Sequence, residues 1–161
     1  MTDEQVQKFS PEREYLTPYN VDIKTYSPQI FQIYQNEISK LTEIFKILLI
    51  DFSTAEFIED KLSPQFQLSP DQIKEITRII RDIILTKISL TDLVKTVEEK
   101  LKVDEVRARE ITNFIFTNLF SKEAMEELKK LHIAKFGQTV APKPEVTNNP
   151  NIIDLRSKSG E

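Results

Sequence analysis

Cysteine and tryptophan are absent from the 161 residues, and glycine occurs only twice, at Gly137 and Gly160. Without cysteine there is no disulfide, no thiolate metal site and no cysteine nucleophile. With no glycine before position 137, few positions can require a positive φ, so tight β-hairpins are disfavoured. Gly-rich phosphate loops and a G-x-S-x-G nucleophile turn are excluded over the same span.

Long apolar runs are missing too. The longest aliphatic stretch is Ile47-Leu48-Leu49-Ile50, far short of a membrane span. Residues 1–26 are polar and carry no apolar core of a signal peptide. The expected location is cytoplasmic, with no membrane partner. An excess of positive charge is also lacking: 22 Lys and Arg stand against 26 Asp and Glu, for a net charge of −4. The balance is even along the chain, so the phosphate-backbone attraction that nucleic-acid binding relies on is absent, and nucleic acid is not an expected partner.

Histidine occurs once, as His132 between Leu131 and Ile133. A zinc site there would need carboxylates alone beside it, an unusual donor set. No E-x-x-H pair and no D-x-D-x-D-G loop occurs for other metals. His132 is expected at the surface or its boundary. No metal, cofactor or catalytic constellation is expected, and the chain reads as non-catalytic.

What is present is a repeat of helix starts. Glu75-Ile76-Thr77-Arg78-Ile79-Ile80 recurs 35 residues on as Glu110-Ile111-Thr112-Asn113-Phe114-Ile115, with a weaker echo at Lys40-Leu41-Thr42-Glu43-Ile44-Phe45. Each copy is followed by an apolar residue, a serine and a shorter apolar segment, at Phe52-Ser53, Ile88-Ser89 and Phe120-Ser121. Thr42, Thr77 and Thr112 hold one register, where a helical threonine packs its methyl group or bonds back to a carbonyl; packing is the expectation. The period is that of tetratricopeptide repeats, but their Trp and Leu-Gly positions are missing, and the chain is not assigned to them.

Cap signals place the elements. Ser27-Pro28 starts a helix running to about Asp51, with Ile30, Ile33, Tyr34, Ile38, Leu41, Ile44, Phe45 and Leu48 on its apolar face. Ser53 with Glu56 opens a short helix that Ser63-Pro64 ends. Ser69-Pro70-Asp71-Gln72 starts the next helix, apolar at Ile73, Ile76, Ile79, Ile80, Ile83 and Ile84 and expected to be the most buried. On its polar side Arg78 and Asp82 are placed for an i,i+4 pair. Ser89 caps a helix to about Leu101. Asp104 caps one over 105–119, burying Val106, Ile111, Phe114, Ile115 and Leu119. Ser121 caps a last helix, and Gly137 is expected to close it in the left-handed conformation.

The expected fold is therefore all-α: a compact bundle of about six helices over 27–136, built from two to three hairpin repeats of about 35 residues. An N-terminal arm over 1–26, bearing scattered Phe9, Tyr15, Tyr19 and Tyr26, precedes it. A polar tail over 137–161, expected to be disordered, follows. One aliphatic island interrupts the tail, Asn151-Ile152-Ile153-Asp154-Leu155-Arg156, a pattern suited to a linear motif that docks on a protein partner.

The leading functional expectation is an interaction or scaffold protein using the bundle surface and the tail motif, with homodimerisation as one mode. The alternative is an accessory subunit binding an anionic ligand through Lys74, Arg78 and Arg81.

Overall fold

The computed structural model describes residues 16–137, and over that span the chain is all-α with no strand. Helices α1 (Pro28–Ser39) and α2 (Glu43–Ile50) lead into a continuous rod: α3 (Phe52–Glu56), a π-helical segment (Phe57–Leu62) and α4 (Ser63–Phe66). Helices α5 (Pro70–Ile84), α6 (Leu93–Leu101), α7 (Glu105–Asn118) and α8 (Lys122–Phe136) complete the bundle. Short 3-10 turns stand at Ile23–Thr25 and Leu90–Asp92.

Side-chain caps fix most of the starts. Ser27, Ser69, Asp104 and Ser121 each accept a hydrogen bond from the backbone N–H three residues on. Ser89 does the same for the 3-10 turn ahead of α6. Ser69 and Gln72 form the full reciprocal capping box. The Gln72 side-chain amide also donates to the Leu101 carbonyl at 2.9 Å, so one residue completes the start of α5 and the end of α6.

Several local expectations are corrected. The first helix is broken at residues 40–42: Thr42 is extended and is the N-cap residue of α2, so it does not share the in-helix role of Thr77 and Thr112. Contrary to the expectation of methyl packing alone, those two hydroxyls donate to the carbonyls of Ile73 (2.7 Å) and Ala108 (2.8 Å), because both threonines are buried and an unbonded hydroxyl there is costly. The short helix starts at Asp51, whose carboxylate accepts from the Ser53 N–H, rather than at Ser53.

Ser63-Pro64 does not end the rod. The Ser63 N–H reaches back to Ile58, five residues rather than four. This wider turn gives the proline ring room against the preceding carbonyls. The rod stops at Gln67, which is left-handed, with the Leu68 N–H bonding the Ser63 carbonyl. Gly137 has the expected positive φ of 86°, but its ψ of −172° is extended rather than left-handed.

The core runs through every helix. Ile76, Ile80, Ile84, Ile111, Leu128, Phe45 and Leu49 are all fully buried, and α5 contributes the most buried residues of any helix. Helix α6 packs between α5 and α7. On the other side of α7, the Phe114 ring meets Phe57 and Phe66, while Arg107 donates to the Phe66 carbonyl. In α7 the inner stripe is Ala108, Ile111, Thr112 and Ile115. Val106 falls on the opposite side and is 67% exposed, which corrects its placement in the core.

Candidate functional site

Two groups of residues stand out on this body, and they share the polar side of α5. The first joins the segment before α1 to α5. Asp22 accepts from Arg78 Nε (3.0 Å) and from an Arg81 terminal nitrogen (2.6 Å). Arg78 also meets Glu75 at 3.1 Å, and Arg81 Nε meets Asp82 at 2.9 Å. The expected Arg78–Asp82 pair does not form, because each arginine is drawn toward Asp22. Burial works to raise the Asp22 carboxyl, but hydrogen bonds and charge from Arg81 and Arg78 outweigh it and hold the group below its ordinary range. Lys74, on the same helix, is exposed.

Around this ion cluster three tyrosines pack. The Tyr19 and Tyr34 rings stack at 5.6 Å, and Tyr26 meets Tyr34 edge-on at 5.1 Å. The Tyr34 hydroxyl donates to the Tyr19 carbonyl at 2.8 Å, and the Tyr19 N–H donates to the Leu49 carbonyl. Burial holds the Tyr34 phenol above its ordinary range, so it is a fixed donor. Residues 16–26 are therefore docked on the bundle through aromatic contacts and one carboxylate.

The second group is a cleft of about 210 Å³ between α1 and the C-terminal end of α5. Tyr26 and Tyr34 line it, beside Arg81 and Asp82. Ile30, Ile33 and Leu85 give it apolar walls, and Glu37 and Lys87 stand there 3.4 Å apart. Ile30 is 52% and Ile33 61% exposed, and neighbouring Phe31 is also exposed. This corrects the expectation that both isoleucines face the core. Only the second half of α1, from Tyr34 to Ile38, meets the bundle, so its first turns keep an uncovered apolar side.

His132 is a further correction. It is fully buried, not at the surface, because Ala124, Leu128 and His132 recur at four-residue spacing on the inner side of α8, while Ile133 is 41% exposed. Its Nε2 lies 2.9 Å from the Ile83 carbonyl, and Nδ1 is buried without a partner. A carbonyl only accepts, so Nε2 carries the proton and Nδ1 is a bare lone pair.

Among the described residues no three His, Asp or Glu gather to hold a metal ion, and no helix is long and apolar enough to cross a membrane. Of the sequence candidates, Arg78 and Arg81 are brought together, and Asn151–Arg156 lie outside the described residues. Sequence reasoning missed Asp22 and the cleft. The one signal for Asp22 was an acidic residue between Tyr19 and Tyr26, and nothing local linked it to α5. Comparison with known proteins finds no matching family model, curated protein or solved structure.

Proposed function

We propose that this chain is a non-catalytic interaction or scaffold protein that binds a protein partner through the cleft beside α1 and through the tail motif Asn151–Arg156. The observation that supports this most is the pair Ile30 and Ile33, two large aliphatics left in solvent beside a cleft. An uncovered aliphatic pair with charged neighbours of both signs suits an amphipathic protein segment. The anion-binding alternative has less support, since Asp22, Glu75 and Asp82 already occupy the guanidinium groups of Arg78 and Arg81. A cytoplasmic location is part of the same proposal.

The test is affinity capture with the full chain and with a chain ending at Pro150. The reading expects at least one specific partner retained by the full chain and lost from the shortened one, with equal urea midpoints for the two. An identical set of partners removes the motif from the proposal.

A further inference from the structure

We infer that the cleft between α1 and the end of α5 is the docking site for this chain's own segment Asn151–Arg156, held in cis. This rests on the interaction reading above and adds that its two surfaces fit each other. Three observations carry it.

The first is where the chain leaves the bundle. His132 is hydrogen-bonded to the Ile83 carbonyl, and Gly137, the last described residue, follows five positions later. Five residues advance a helix by roughly 8 Å. Ile83 sits between Asp82 and Leu85, both of which line the cleft. The bundle's last described helix is thus anchored, five residues before Gly137, to the same end of α5 that forms one wall.

The second is reach. Residues 138–150 place thirteen positions between the bundle and the motif. At about 3.3–3.6 Å per residue they span up to roughly 45 Å. A domain of this size has a radius of gyration of about 14 Å, or about 35 Å across. Tethering at that length gives an effective concentration on the order of millimolar, so even a weak contact is populated.

The third is chemistry. The cleft offers Ile30, Ile33 and Leu85 together with the opposite charges of Glu37 and Lys87. The segment offers Ile152, Ile153 and Leu155 with Asp154 and Arg156. Asp154 matches Lys87, and Arg156 matches Glu37. The Glu37–Lys87 pair is long at 3.4 Å and its side chains are 39% and 50% exposed, so exchanging partners costs little. Docked together, the cleft and the motif are each withheld from outside partners, which must displace one to reach the other.

The test is methyl NMR on the full chain labelled at isoleucine, comparing wild type with Ile153→Asp/Leu155→Asp. The expected result is that the Ile30 and Ile33 resonances move while Ile76 and Ile111 do not, and that dilution leaves the wild-type spectrum unchanged. The reverse variant, Ile33→Asp at an exposed position, is expected to move the Ile152 and Ile153 resonances. Unmoved resonances in both directions overturn the inference. Shifts that disappear on dilution also overturn it, in favour of the tail of a second copy. The capture experiment fails separately: a partner lost with unmoved methyls sinks the docking alone, and moved methyls with no partner sink the interaction reading alone.

Discussion

The His132 ring donates to the backbone carbonyl of Ile83 at 2.9 Å, from a position with no solvent exposure. That bond ties the last turns of α8 to the end of α5 and leaves a basic nitrogen, Nδ1, buried without a hydrogen-bond partner. Adding a proton there would bury a charge without a partner.

Burial accordingly lowers the His132 pKa from its ordinary 6.5, with the Ile83 hydrogen bond opposing. The unfolded chain therefore binds the proton more readily than the folded one. Its contribution to stability is complete above about pH 6.5 and falls as pH drops through that value toward the lower folded pKa. Urea unfolding at pH 7.5 and 5.5 checks this. The wild type is expected to lose stability between those values, and His132→Leu to lose less over the same interval.

Asp22 titrates in a different window. Its folded pKa lies below 3.8, so its contribution is present above about pH 4 and is lost only in stronger acid. At neutral pH, Asp22→Asn removes the carboxylate shared by Arg78 and Arg81. The Arg81 side chain is only 12% exposed, though it keeps Asp82. A loss of about 1–2 kcal/mol is expected in urea unfolding, with less for Arg78→Ala, whose side chain is 36% exposed. Equal losses for the two variants would contradict this ranking.

Among the described residues, three other than glycine close helices at positive φ: Gln67 (52°), Thr86 (58°) and Lys102 (59°). The scarcity of glycine was a sound guide to the lack of hairpins, but it did not mean that such conformations are absent. The left-handed region costs a residue with a Cβ roughly 1–2 kcal/mol, partly offset in a glycine variant by the greater freedom of its unfolded chain. Lys102→Gly and Thr86→Gly are each expected to raise stability by about 0.5–1 kcal/mol, read as a higher urea midpoint. A lower midpoint for both would show that these turns carry no strain.

How far the sequence reaches can be judged on single residues. Ser27, Ser69, Ser89, Asp104 and Ser121 act within three residues of themselves, so their roles were legible. Asp22 acts on Arg78 and Arg81 across 56 and 59 positions, and no local pattern encodes that. The wide turn at Phe57–Leu62 was hidden because proline was weighed against an ordinary α-helix. His132 was misplaced because the apolar side was read through Met125, Leu128, Leu131 and Ile133, whereas the buried stripe runs through Ala124, Leu128 and His132. Ile30 and Ile33 followed helical spacing correctly, but the bundle does not extend to cover them.

Helix α7 offers a direct check on that last kind of error. Val106→Glu, on the exposed side, is expected to change stability by no more than about 0.5 kcal/mol. Ile111→Ala, at a fully buried position, is expected to cost about 2–5 kcal/mol. Comparable losses for the two would mean that the inner stripe of α7 has been drawn on the wrong side.

The most direct test of the interaction account is quantitative partner capture by the full chain carrying Ile30→Asp/Ile33→Asp, beside wild type. Both positions are at least half exposed, so the urea midpoint is expected to stay within error of wild type. The account predicts that a specific partner of the wild-type chain is lost from this variant. Undiminished capture of every partner, by a variant that is folded, would contradict it.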